Sequence, residues 1–264
     1  MINIYSVTDG PKILFYDIET CMGYAEIPFY QLKQYSKYIN PNLVKRPVSM
    51  ICAAWKWDHQ NFVTSTSVLK DPERFEADPY DDYHVVKFLH QVISEADVVV
   101  AHNGDNFDWK MLNWRCAVHG LEPPKPPVKI DTLKMARKEF KAESKSLRYL
   151  AKHLGVEDKG ESPDWNKISM GCPEEIAYAE KYCRQDIKTL IGVYERIRPF
   201  ASNHPNLNPM LDGVHHNTCS RCGSDKIKKN GYKHTRAGKY QAYKCNDCGS
   251  HSQGKKNLRT VEIR

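Results

Sequence analysis

The chain has 264 residues with 39 Lys and Arg against 32 Asp and Glu, a formal charge of +7, and that charge is unevenly placed. From residue 213 onward twelve basic side chains face three acids, a formal +9, so everything before them sums to −2. No apolar run approaches the ~20 residues of a membrane-spanning helix. There is no internal repeat, and the N-terminus lacks the basic and apolar regions of a secretory leader, so a reduced, cytoplasmic protein without a membrane partner is expected.

Residues 12–20 read as the first strand, and its end carries Asp17 and Glu19. Alternation sends Leu14, Tyr16 and Ile18 to one face and Ile13, Phe15, Asp17 and Glu19 to the other. Two carboxylates this close raise one another's pKa unless a cation lies between them, and hard oxygen ligands favour a divalent one. A solvated strand end is the alternative. The following stretch, 21–47, interleaves Tyr24, Phe29, Tyr30, Tyr35 and Tyr38 with Lys33, Lys37, Lys45 and Arg46. That mixture suits base stacking beside phosphate, or a helical flap that packs its aromatics on the domain. Met22 is a wedge against a terminal base in the first reading and core in the second.

Strands are expected at 48–57 and 61–68, joined tightly by Asp58-His59-Gln60, before a helix with the apolar face Val85, Val86, Phe88, Leu89, Val92 and Ile93. A buried strand at 97–101 leads through the turn residues 102–106 into a helix at 107–119, which places Asp108 just past a second strand end. A Pro-rich turn at 123–127 precedes a short strand at 128–131 and helices at 132–140, 146–154 and 173–198. The last helix has Pro173 at its first turn, Glu174 and Glu175 near its N-terminus, and a seam through Ile176, Ala179, Cys183, Ile187, Leu190, Tyr194 and Ile197. Tyr182 and Asp186, four apart, share one side of it. Three strands followed by alternating helix and strand describe an α/β fold with a mixed sheet covered by helices, and about 200 residues suffice for one such core.

Beyond a joint at 201–217, where Pro205 and Pro209 sit among Asn, Ser and Gly, four of the nine cysteines form two knuckles, Cys219-x-x-Cys222 and Cys245-x-x-Cys248. Each has Gly directly after its second Cys. The spacing is that of a structural Zn²⁺ site in a small ribbon, with a disulfide pair as the alternative in an oxidising compartment. His215, His216, His234 and His251 are spare ligands to a site that four thiolates already close. Lys226–Lys233 and Tyr240–Lys244 mix basic and aromatic residues, which favours nucleic acid over a protein as the tail's partner.

Asp17-Ile18-Glu19-Thr20, Asn103-Gly104-Asp105-Asn106-Phe107-Asp108 and Tyr182-Cys183-Arg184-Gln185-Asp186, in that order, resemble the three motifs of the DEDD (DnaQ-like) 3′-to-5′ exonuclease superfamily, in the subgroup with tyrosine in the third motif. Ile130-Asp131-Thr132-Leu133 and the helix 146–155 resemble its secondary signatures, and 218–264 resembles the ribbons at the ends of transposase-type proteins. The resemblance covers about residues 11–200 and implies a ribonuclease-H-like fold, with 21–47 as an insertion. It implies two Mg²⁺ or Mn²⁺ ions held by Asp17, Glu19, Asp108 and Asp186, with Tyr182 orienting water. Thr20, Asn103 and Phe107 would meet the terminal nucleotide of a single-stranded 3′ end, and basic residues from Lys129 to Lys152 would form a phosphate track. Two rival expectations are a 3′ exoribonuclease and a non-catalytic nucleic-acid-binding adaptor on the same fold.

Overall fold

Five segments rich in β-branched and aromatic residues meet edge to edge, and the most apolar of them lie in the middle. The structure is a computed structural model that describes residues 10–28, 38–157, 160–210 and 218–259. Strands β1 (Ile13–Cys21), β4 (Ser49–Trp57), β5 (Thr64–Ser67), β6 (Val98–Ala101) and β7 (Val128–Asp131) form one sheet in the order β5-β4-β1-β6-β7. β1 pairs antiparallel with β4 and parallel with β6, so the sheet is mixed and β1 is central. Helices α2 (Tyr83–Ser94), α3 (Asp108–Val118), α4 (Thr132–Glu139), α5 (Leu147–Leu154) and α7 (Pro173–Ile197) cover it. This is the α/β architecture, a mixed sheet covered by helices, expected from the order of elements, and it agrees with the ribonuclease-H-like fold that the resemblance implies. Leu14, Tyr16, Met50, Ile51, Leu89, Ile93, Leu112, Ile176, Ile187 and Leu190 are among the largest fully buried side chains. Each large aliphatic group among them contributes about 1.5–3 kcal/mol by leaving water.

Two departures from the sequence reading have local causes. The third strand begins at Thr64 rather than 61, because the Gln60 amide closes a turn on the Trp57 carbonyl at 3.0 Å and Phe62 stays exposed. Two short helices, α1 (Pro72–Ala77) and α6 (Trp165–Ser169), stand where the sequence reading assigned no element. Asp71 and Asp164 cap them through their side chains, a start signal that outweighs the shortness of the apolar pattern.

Within 21–47, β2 (Tyr24–Ala25) pairs with β3 (Val44–Arg46), and the Arg46 guanidinium lies 3.8 Å over the Tyr80 ring. Tyr24 and Tyr38 are 52% and 66% exposed; Phe29, Tyr30, Lys33, Tyr35 and Lys37 lie outside the described residues.

The tail is an antiparallel meander, β8 (Ile227–Thr235), β9 (Gly238–Cys245) and β10 (His251–Arg259). Gly223 and Gly249 take φ of 71° and 74°, and their amides donate to the carbonyls of Cys219 and Cys245 at 2.8 and 3.1 Å. Each knuckle therefore closes on itself through a left-handed residue, which is why glycine follows its second cysteine. The described half of the expected joint, 201–210, is packed: Ala201 and Leu207 are buried and the Leu207 amide donates to the Ser220 carbonyl at 3.1 Å. Residues 211–217 lie outside the described residues.

Candidate active site and four-cysteine cluster

β6 pairs with β1 only as far as Phe15, opposite Val100, so beyond that point this edge of β1 runs past the carboxyl ends of the parallel strands, where α/β folds build sites. Asp17 and Glu19 stand on this stretch of β1, on the Phe15 face, where Phe15 meets Tyr194 of α7 edge-on at 5.6 Å. Asp186, on α7, is buried against them. Carboxylate oxygens of Asp17, Glu19 and Asp186 lie within 4.8 Å of one another. Oxygens bonded to one cation at about 2.0–2.6 Å stand at most about 4.0–5.2 Å apart, so the donor set fits a hard divalent ion. A β-bulge between Glu19 and Thr20, where β4 has one extra residue, kinks the sheet just past the pair and ends the alternation that aligns them. Thr20 is half-buried beyond that bulge, and Tyr182 is half-buried one turn before Asp186 on α7.

Asp108 approaches the same stretch of β1 from the other side. It opens α3, is 2% exposed, and its Oδ1 accepts the Ile18 amide at 3.3 Å, a donor that β6 has left without a strand partner. Burial pushes its carboxyl up to about 7, helped by the charge of Asp131 and resisted by its backbone hydrogen bonds. The structure thus gathers Asp17, Glu19 and Asp186 directly and sets Asp108 beside them across one residue of strand.

The turn that delivers Asp108 is tightly built. Asn103 adopts φ 68°, and its carbonyl accepts the amides of Asn106 and Phe107 at 3.1 and 3.0 Å. A Cβ on Gly104 would meet the Ala101 Cβ at 2.5 Å, so only glycine lets this turn lie on the end of β6. Asp131 holds the turn from β7: Oδ1 accepts the Asn103 amide at 3.0 Å and caps α4 at Leu133 and Lys134, while Oδ2 accepts the Asp105 amide at 3.4 Å. Phe107, directly before Asp108, is 41% exposed.

Cys183 was legible only as a seam residue. Its buried thiol donates toward the Asp17 carbonyl and Oδ2 at 3.5 and 3.6 Å. Burial, the neighbouring Cys52 thiol and the charges of Asp17 and Glu19 raise its pKa, so it remains a donor beneath the acids. Its position three residues before Asp186 in the seam was the available signal. Among the expected phosphate-track residues, Lys129 and Lys134 pair with Asp105 at 3.4 and 2.5 Å, and Arg148 donates to the Gly160 carbonyl at 3.0 Å. A second acid cluster, Asp81, Asp82 and His119, has its cation already: Arg115 clasps both oxygens of the buried Asp82 at 2.7 Å, which ties α2 to α3.

In the tail the sulfurs of Cys222 and Cys245, and of Cys219 and Cys248, are 3.7 Å apart, and all four lie within 4.8 Å of one another. Tetrahedral bonds of about 2.3 Å require sulfurs about 3.8 Å apart, so the cluster fits a ribbon-type metal site. The cysteines are free thiols. Thiol donation from Cys222 and Cys248 pulls Cys219 far below its ordinary range, and the Cys219 thiolate in turn raises Cys222 and Cys248, as expected of a group that ionises together only around a cation. His251 lies outside this set, facing Asn230 at 3.3 Å.

A mixed five-stranded sheet with acids converging at the end of its central strand defines a ribonuclease-H-like protein. The family model of the RNase_H superfamily matches residues 50–198, and the chain belongs to that superfamily. The match includes Asp108, Tyr182 and Asp186 and starts after β1. DNA polymerase 2 of Aeropyrum pernix is 26% identical over 197 residues, 66% of this chain and 23% of that protein. The structure of the family B DNA polymerase from Pyrobaculum calidifontis superposes with a TM-score of 0.52 at 13% identity, over 86% of this chain and 31% of the polymerase. This chain therefore spans under a third of either relative. No helix among the described residues is long and apolar enough to cross a membrane.

Proposed function

We propose that the protein is a metal-dependent 3′-to-5′ exonuclease of the DEDD type with a tyrosine in its third motif. It acts in the cytoplasm on single-stranded DNA, with two Mg²⁺ or Mn²⁺ ions at the acids and a structural Zn²⁺ in the tail. The observation that carries this reading is the convergence of Asp17, Glu19 and Asp186 within 4.8 Å, with Asp108 on the Ile18 amide alongside. Membership of the RNase_H superfamily supports it, as does the likeness to a DNA polymerase.

Asp17, Glu19 and Asp186 would hold one ion, and Asp17 with Asp108 the other. When bound, such a pair lowers the pKa of water and stabilises charge on the attacking and leaving oxygens of a phosphodiester. The chain's own residues do the rest. Tyr182, on the Asp186 side of α7, orients the attacking water through its hydroxyl; its free pKa near 10 makes it a poor base by itself. Phe107 stacks on the terminal base, Thr20 and Asn103 border the sugar, and the Cys183 thiol keeps Asp17 in place from beneath. Cys219, Cys222, Cys245 and Cys248 would hold Zn²⁺ as thiolates and fix the tail as a nucleic-acid-binding ribbon.

The test is digestion of 5′-labelled DNA and RNA oligomers, single- and double-stranded, with Mg²⁺ or Mn²⁺. A ladder shortening from the 3′ end of single-stranded DNA, lost when that end is blocked, is expected. Internal cuts, digestion of RNA alone, or no digestion with both metals would each refute it.

A further inference from the structure

The tail presents a basic and aromatic face that the acid cluster does not use. Along β9, Tyr243, Gln241 and Lys239 point the same way as Cys245, so the face continues from the thiol cluster outward. The register sets Lys229 opposite Tyr243 and, past a bulge, Tyr232 opposite Gln241, which brings both onto that face. Lys239 Nζ lies 3.8 Å from the Tyr232 ring centroid, and Tyr232 is 53% exposed. Across β10, Gly254 lies over the flank of Tyr243: a Cβ there would stand 3.5 Å from Tyr243 Cε2, so glycine leaves the ring edge uncovered.

This face forms one wall of an open groove of about 1370 Å³. The other wall comes from the packed joint and is polar and uncharged, with Ser202, Asn206 and Asn208. Arg221, Lys229, Lys233, Lys255 and Lys256 line the groove, and among the described residues that line it there is no Asp or Glu. The tail's two described acids are Asp225 and Asp247, and Lys226 pairs with Asp247 at 3.5 Å on the knuckle side. Glu139, which accepts from the Ser202 amide at 2.7 Å, is an acid at its border, so the groove combines a predominantly positive lining with the exposed Tyr232 ring and the uncovered edge of Tyr243.

Phosphates answer the charge, but only unpaired bases answer the rings, because a duplex keeps its bases stacked on one another. We propose that this groove binds single-stranded DNA, with bases against Tyr232 and Tyr243 and phosphates along Lys229, Lys233, Lys255 and Lys256, as an anchor separate from the acids. The choice of DNA as the polymer rests on the exonuclease reading; the combination of charge and rings does not.

The experiment uses the full zinc-loaded chain with Asp186→Asn to prevent hydrolysis, and fluorescence anisotropy of a labelled oligo-dT 20-mer across a salt series. Stacking of about 1–3 kcal/mol per base corresponds to about 5- to 150-fold in affinity. Tyr232→Leu with Tyr243→Leu should weaken binding at least five-fold with little change in salt slope, and the matching Phe pair should restore it. Lys229→Ala with Lys255→Ala should flatten the slope of log affinity against log salt by about 1.4, at roughly 0.7 per lost phosphate contact. Zinc content and far-ultraviolet circular dichroism show that each variant is folded, and if the Leu pair does not fold the lysine pair decides, an unchanged salt slope overturning the proposal. Unchanged affinity in a folded Leu pair would overturn the proposal. So would duplex binding as tight as single strand, displacement by oligo-rU but not oligo-dT, or displacement by poly-glutamate as readily as by oligo-dT, the last pointing to a protein partner. If the wild-type chain digests no strand while the tyrosine and lysine variants behave as described, the exonuclease reading fails and the groove assignment stands.

Discussion

Up to Phe200 the reactive side chains are held by a core; in the tail they are themselves most of the core. Asp17, Glu19 and Asp186 sit on a strand and a helix fixed by dozens of buried apolar residues, whereas the tail's buried cluster is Cys219, Cys222 and Cys245, with Ile227 and Cys248 packed on it. Charge follows the same division, with the formal excess confined to the tail. The difference teaches that the acids should tolerate losing their ions without loss of the fold, while the tail should not.

The largest expected effect tests the tail. With zinc on the four cysteines as proposed, stripping the metal, or Cys245→Ser, should expose the amides of 227–259 to rapid exchange while those of β1, β4 and β6 stay protected. The metal's share is about 10–16 kcal/mol in isolated zinc-finger peptides. Protected tail amides in a metal-free chain would erase the contrast.

Next in size is the reverse case. Asp17→Ala or Asp186→Ala should lower digestion of single-stranded DNA by at least a thousand-fold, several kcal/mol of transition-state stabilisation, with the thermal midpoint almost unmoved. Tyr182→Phe should cost less, about ten- to a hundred-fold. Near-normal turnover in both acid variants would displace the site.

A cavity cut into the core sharpens the comparison. Ile187→Ala, fully buried beside Asp186 on α7, should destabilise the first region by about 2–5 kcal/mol in urea unfolding. The zinc content of the folded chain should not change; a parallel loss of zinc would mean that the two regions fold as one.

The smallest effect lies at the joint. His204 is pinned as a neutral ring, with its Nδ1–H toward the Pro205 carbonyl at 2.7 Å and Nε2 facing the Tyr194 hydroxyl at 2.8 Å. Burial, with Arg198 and Arg221 nearby, lowers its pKa to about 4. The unfolded chain, near 6.5, binds the proton first, so this contribution is full above pH 6.5 and is lost as pH falls toward 4. Solvent reaching the half-buried ring limits it to about 1–2 kcal/mol. His204→Gln should flatten the stability of the first region between pH 6.5 and 4.5; a profile identical to wild type would discount the ring.

Much of the fold was legible because its signals are local. The period of two in β1, the period of 3.6 in α7, and Pro173 at a helix start each act within a few residues, and the observed bounds fall within one or two positions of those expected. The knuckles were legible for the same reason, since Cys-x-x-Cys-Gly fixes its own turn. The sequence by itself determined which acids share a strand face and which side of α7 carries Tyr182 and Asp186. Only the tertiary structure decided what depends on residues far apart in the chain. It placed β1 at the centre of the sheet and ended β6 early, so that Asp108 takes the Ile18 amide 90 residues away. It set the Cys183 thiol under Asp17, used Asp131 to tie a turn to a helix, and turned Tyr232 and Tyr243 into one wall of a groove. Periodicity states which face a side chain takes, but its partner there is chosen by which strands run side by side, and that follows from burying the whole core at once.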